Sequence, residues 1–185
     1  MSNLGRPPRS SVCDFAWRTV FRLGFPLARV WWQLTRPEHE GVAVAVYVDS
    51  ELLLVRCSYW IGWHLPGGGM RHGEMPEAAA RRELAEEVGL TAPTLRFVGI
   101  TCCIWDGRRD RIHFFELRLN ELPKLQLDKR EVIEARLTSR VELQSMALTG
   151  LLAAYLALLP AALRLKGRSI AHWALTTRQH LSRPQ

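Results

Sequence analysis

Lysine is scarce in this chain: Lys124, Lys129 and Lys166 are the only ones among 185 residues, so its positive charge rests on arginine. Cysteine is sparse too, and Cys13, Cys57, Cys102 and Cys103 lack the paired spacing of zinc sites or of small secreted disulfide frameworks. They read as reduced thiols in a cytoplasmic protein. The N-terminus has no short basic head followed by a continuous apolar stretch and a small-residue cleavage site, which argues against secretion. Low-complexity tracts and internal repeats are missing as well. With 48% hydrophobic and 23% charged residues, the composition excludes a disordered chain.

What is present is enough sequence for one substantial core with terminal additions. The 25 basic residues against 18 acidic give +7, a field that suits phosphate-rich ligands. The basic residues are dispersed, so no nucleic-acid partner is expected.

The organisation falls into three parts. Residues 1–40 comprise a polar tail and an amphipathic segment, in which Phe15, Val20, Phe21, Leu23, Leu27, Val30, Trp31 and Leu34 alternate with Arg18, Arg22 and Arg29. One or two helices, broken near Gly24 to Pro26 and stopped by Pro37, are expected there. Residues 41–142 form the central domain. Its strands are read at GVAVAVYV from Gly41, at Glu51 to Arg56, Leu95 to Cys103, Arg111 to Leu119 and Val132 to Leu137, with a polar turn over Trp105 to Asp110. One helix runs between the strand pairs, opening at Pro76 and ending at Gly89. Residues 143–185 contain the uncharged run Leu143 to Leu163, then a basic tail. The run reads as a helix packed on the domain, with an interfacial element or a bilayer span, which needs roughly 20 residues, as alternatives.

On the central helix, Glu83, Glu86 and Glu87 are three and four apart and project from neighbouring positions on one side. Like charges at that spacing destabilise a helix by a few tenths of a kcal/mol per pair, approximately, and an oxygen-ligated Mg²⁺ is the natural remedy. Ala80, Leu84 and Val88 form an apolar stripe on the other face. Ahead of the helix, Leu65-Pro66-Gly67-Gly68-Gly69 can bring bare backbone up to a ligand and turn a carbonyl toward a metal.

The stretch from Gly68 to Leu90 resembles the Nudix box of the MutT/Nudix family: Gly68, Glu74, Arg82, Glu83, Leu84, Glu86, Glu87, Gly89 and Leu90 fill every specified position. The resemblance covers Gly41 to Leu137. It implies an α/β fold, an α/β/α sandwich around a mixed sheet, here with extra N- and C-terminal helices. It implies a hydrolase dependent on Mg²⁺, with Mn²⁺ as a substitute, that cleaves a pyrophosphate bond in a nucleoside diphosphate linked to another moiety. Nucleoside triphosphates, nucleotide sugars and ADP-ribose-like molecules are the small-molecule substrates so implied. By the same resemblance the Gly68 carbonyl, Glu83, Glu86 and Glu87 hold the metal, Arg82 orients a glutamate, and Glu86 or Glu83 is the catalytic base. Glu131 or Glu134 is an alternative base outside the box.

Specificity belongs outside the box. Trp63 and Trp105 are candidate stacking surfaces, Trp60 a further one, and Gly69 a backbone contact. Arg108 heads a set with Arg56, Arg109 and Arg111 that can meet extra phosphates. His72 and His113 read as structural. Two other readings stand beside the enzyme. One is a Nudix module that senses a nucleotide without turnover. The other concerns location: Trp17, Trp31 and Trp32 with the arginines around them suit peripheral contact with an anionic membrane. A homodimer is compatible with all of these.

Overall fold

The computed structural model describes residues 38–59, 62–105, 108–128, 130–146 and 149–159, with individual positions between 16 and 35. Two turn-forming residues separate β1 (Glu38–Val48) from β2 (Glu51–Cys57), and the short β3 (Gly67–Gly69) leads to α1 (Pro76–Val88). There follow β4 (Arg96–Trp105), β5 (Arg108–Leu119), β6 (Val132–Thr138), α2 (Arg140–Ser145) and α3 (Gly150–Leu158). The strands make one mixed sheet in the order β4-β5-β1-β2-β6, with β3 also paired to β1. Only β1 and β5 run parallel among these pairs, in register from Glu38 opposite Arg109 to Val48 opposite Leu119.

The run GVAVAVYV is apolar at consecutive positions because β1 lies at the centre of the sheet and is covered on both faces. Val42, Val44 and Val46 meet Ala80, Leu84 and Val88 of α1 in one core. Ala43 and Ala45 share the opposite core with Leu152, Tyr155 and Leu156 of α3. Helices thus flank the sheet on both sides, the sandwich that the sequence implies. The run Leu143 to Leu163 is not continuous. Ser139 caps α2 through a reciprocal pair of contacts with Glu142, and Thr149 caps α3, so two short helices replace one long one. The described part of that run is packed on the domain.

Helix α1 starts and stops where the sequence places it. Pro76 opens it, and Gly89 closes it at φ 71° with Gly89 N–H donating to Ala85 O and Leu90 N–H to Leu84 O. A Cβ at Gly89 would also lie 2.8 Å from Gln126 Cβ, in the segment whose N–H donates to Val88 O.

Several strand boundaries differ from the expectation: β2 ends at Cys57, β4 spans Arg96–Trp105 and β6 ends at Thr138. β1 begins at Glu38 and β5 at Arg108, because their parallel pairing continues past Gly41 to Glu38 opposite Arg109. The polar turn read over Trp105 to Asp110 shortens accordingly. In the N-terminal segment, Trp17, Val20, Gly24, Leu27, Val30, Trp31 and Leu34 are helical and exposed. The break read near Pro26, and Arg18, Arg22, Arg29 and Trp32, lie outside the described residues. Among the described residues no helix is long and apolar enough to cross a membrane.

Candidate active site

The apolar stripe of α1 fixes which way its acids point. Leu84 and Val88 are fully buried against β1, and burying a side chain of this size stabilises by about 1.5–3 kcal/mol. Glu83 and Glu87 are thereby turned toward the glycine strand, and Glu86 stands exposed beside Arg82 and Arg71. The carboxylate of Glu87, itself buried, accepts the Gly67 N–H at 2.9 Å. Glu83 lies directly on the next residue: a Cβ at Gly68 would come within 2.7 Å of its carboxylate. A Cβ at Gly68 would have to push the end of the Glu83 side chain aside, so glycine here admits a charged group and does not serve a turn.

Arg82 ties these parts together. Its Nε and Nη2 donate to the two oxygens of Glu74, both at 2.9 Å, in the bidentate geometry that suits guanidinium and carboxylate. Nη1 donates to Glu83 at 2.7 Å and to Glu86 at 3.1 Å, and Nη2 also donates to the Gly69 carbonyl at 3.0 Å. Glu74 in turn accepts the Arg71 N–H at 2.8 Å. One guanidinium thus holds the loop, the helix start and two of the acids in a single arrangement. The Arg82 hydrogen bonds are the largest cause holding the Glu74 carboxyl down to about 2. The pair therefore stays charged at any ordinary pH.

The acids themselves are held against their preference. Burial pushes Glu83 above the usual carboxylate range, against the opposing pull of Arg82. Burial pushes Glu87 well above it, with Glu131 and Glu83 adding repulsion and the Gly67 N–H opposing. A buried and a part-buried acid kept close together beside the glycine loop form a donor set that a hard divalent cation fits. Because both folded-state values are raised, the cost of ionising these groups appears as pH rises through them. A bound divalent ion competes with their protons. Mg²⁺ affinity, followed by calorimetry, is therefore expected to weaken as pH falls from about 8 to 5, with proton release on binding. Affinity independent of pH across that range would remove Glu83 and Glu87 from the binding set.

Glu131 also belongs to this neighbourhood. Its carboxylate accepts a hydrogen bond from Tyr59, and ligand atoms of Glu131, Glu87 and Cys57 all lie within 4.8 Å of one another. Sequence reading named Glu131 as an alternative base but missed Tyr59 and Cys57. The period-two alternation Leu53, Val55, Cys57 of β2, all facing the α1 core, was the signal available for the thiol.

The specificity candidates are not all brought here. Trp63 packs against the core on the α3 side, with the Arg136 guanidinium 4.6 Å from its ring centre and its carbonyl accepting from Thr149. Arg56 is engaged with Glu134 at 2.9 Å through Nε. Arg111 lies 3.7 Å from Glu40 and Arg109 lies 3.9 Å from Glu38 at the end of β1 nearest the glycine strand. His113 is buried beside Glu40, at 3.9 Å. Trp105 and Arg108 face each other in register across β4 and β5, and their side chains lie outside the description, as does Trp60.

A glycine strand, a carboxylate-bearing helix and a clamping arginine on a mixed sheet define a class of domain, and comparison with known proteins identifies it. The NUDIX domain model matches residues 37–159, and the chain belongs to that family. Diphosphoinositol polyphosphate phosphohydrolase 3-alpha of Mus musculus is 40% identical over 75 residues, covering 40% of this chain. The match spans 45% of that relative's length. Among solved structures, a MutT NUDIX hydrolase from Burkholderia pseudomallei superposes with a TM-score of 0.60 at 19% identity, covering 66% of this chain and 98% of the other. An Ap4A hydrolase from C. elegans gives 0.52 at 22% identity, covering 59% and 85% respectively. At these identities the structural likenesses establish the fold.

Proposed function

We propose that this chain hydrolyses a phosphoanhydride bond in a diphosphate-containing small molecule, with Mg²⁺ held by the Gly68 carbonyl, Glu83, Glu86 and Glu87. The observation that carries this reading is the Arg82 clamp, which fixes Glu74, Glu83, Glu86 and the Gly69 carbonyl around one loop–helix junction. When bound, the ion neutralises the diphosphate and stabilises the charge that develops on the leaving oxygen. Glu87 holds the Gly67 amide, and with it the backbone that faces the diphosphate. Glu86 is half exposed beside Arg82, and in this reading it accepts the proton of the attacking water while Arg82 orients it. Arg71, mostly exposed and reaching Glu86 at 3.3 Å, is available to a phosphate in the same reading.

The substrate class is a nucleoside diphosphate linked to another group, or a diphosphorylated polyol of the kind named for the mouse relative. The experiment is phosphate release from nucleoside triphosphates, nucleotide sugars, ADP-ribose, dinucleoside polyphosphates and a diphosphoinositol polyphosphate, with Mg²⁺ and a coupled phosphatase. Release from one class that disappears on chelation is the expected result. No release from any of them, with nucleotide binding retained, would leave a sensing module instead.

A further inference from the structure

The amphipathic segment ahead of β1 has no task in the hydrolytic reading. Every described position between 16 and 35 is helical and exposed. Val20, Leu27, Val30, Trp31 and Leu34 recur there at intervals of three, four and seven, the spacing of one helix face. Their exposures run from 56% to 77%, so the described part of the domain does not cover them. Single exposed aliphatics need no account, but five at this spacing form an apolar stripe, which marks an interaction surface. Thr35 donates its hydroxyl to the Trp31 carbonyl at 2.9 Å, so that donor is satisfied within the segment.

Charge decides what covers this stripe. Basic residues are spread along the chain, but the acidic ones are not. Residues 38–142 hold 17 acidic and 14 basic residues, so the Nudix domain is itself slightly negative. Residues 1–37 hold six arginines against the single acid Asp14, and residues 143–185 hold five basic residues and no acid. Between Asp14 and Glu38 only Arg18, Arg22, Arg29 and Arg36 carry charge, at intervals of four and seven in the sequence. Arg29 and Arg36 follow Leu27 and Leu34 by two positions, about half a turn on a helical period. A second copy of the segment would bring like charge to like. Duplex nucleic acid would meet the arginines and leave the leucines and Val30 in water. An anionic lipid surface suits both, because its headgroups attract arginine, its acyl boundary takes the apolar stripe, and tryptophan favours the level between them.

We propose that the N-terminal segment docks in the plane of an anionic lipid bilayer through Val20, Leu27, Val30, Trp31 and Leu34, with its arginines supplying the attraction. Attachment is peripheral: an interfacial helix lies along the surface, and among the described residues no helix is long and apolar enough to cross. The Nudix domain is thereby held at a membrane whatever bond it cleaves, and the docking does not rest on hydrolysis. Because much of the attraction is electrostatic, it weakens with salt.

The test is sedimentation of the full chain with vesicles of phosphatidylcholine alone or with about 30% phosphatidylserine, at about 0.1 and about 0.5 M salt. Binding to the anionic vesicles should be at least about tenfold stronger than to the neutral ones and should be lost at the higher salt. Leu27→Gln with Leu34→Gln should weaken it by about tenfold or more. Arg22→Ala with Arg29→Ala should weaken it by about 25-fold, at about fivefold for each arginine. A thermal melt of each variant that matches wild type separates a lost surface from a lost fold. Should the leucine variant fail to fold, the contrast between the two vesicles and the arginine variant still decide. No binding to anionic vesicles, equal binding to neutral ones, or full binding by the folded leucine variant overturns the proposal. Without vesicle binding, a dimer in sedimentation velocity that the leucine variant dissolves gives the face to a second copy. Without vesicle binding, tight binding to duplex DNA that survives in the leucine variant gives the arginines to nucleic acid.

Discussion

Glu86→Gln is expected to lower Mg²⁺-dependent turnover by about two to four orders of magnitude. The side chain is 52% exposed, and its partners are Arg82 at 3.1 Å and Arg71 at 3.3 Å. Such exposed pairs contribute about 0–1 kcal/mol, so the melting temperature should move by no more than about 4 °C. Chemistry and stability are thus separable at this position. Initial rates against substrate and Mg²⁺ concentration, with a thermal melt of the same preparation, read both. Activity within tenfold of wild type would show that Glu86 is neither ligand nor base and would move the base to Glu83 or Glu131.

Gly67→Ala should act through the backbone and should be severe. Gly67 sits at φ +151°, and a Cβ there would lie 2.2 Å from the Val42 carbonyl oxygen and 2.8 Å from Ala43 Cα. Neither obstacle is a side chain that can rotate away. Relief requires β3 to leave β1, which breaks the pairing of Gly67 with Ala43 and draws the Gly67 N–H from Glu87. A loss of about 3–5 kcal/mol is expected from crowding and strain together, with more than a hundredfold loss of turnover in whatever folds. Gly73 provides the control. It has φ +73° with nothing within 4 Å of an added Cβ, so Gly73→Ala carries only the left-handed penalty, about 1–2 kcal/mol. Equal losses in urea denaturation at the two positions would mean that conformation, not crowding, decides.

The contrast between these glycines also marks the reach of sequence reading. The junction from Gly68 to Leu90 was legible because its chemistry is local: acids, clamp and apolar stripe are all set by positions on one loop and one helix. The fold class followed from the same resemblance and from the apolar run of β1. Contacts that join distant segments were not legible. Glu131 meets Glu87 and Cys57 only because β2 and β6 pair antiparallel, with Cys57 opposite Val132. Trp63 looked free to stack on a ligand, yet Arg136 occupies its ring, and the two are far apart in sequence. The break between α2 and α3 was visible in principle at Thr149. Gln144, Ser145 and Thr149 read only as polar residues within one uncharged run, because nothing local shows that Thr149 turns its hydroxyl to cap a new helix.

The backbone proposed to face the diphosphate is a rung of the sheet. Val44 N–H donates to Pro66 O and Met70 N–H to Glu40 O, so residues 66 to 70 are fastened along β1 from end to end. Glycine-rich segments of many enzymes swing over their ligand and confine it. Here the anchored strand behaves as an anvil: the ligand must come to it, and any gating of entry falls to other parts of the chain.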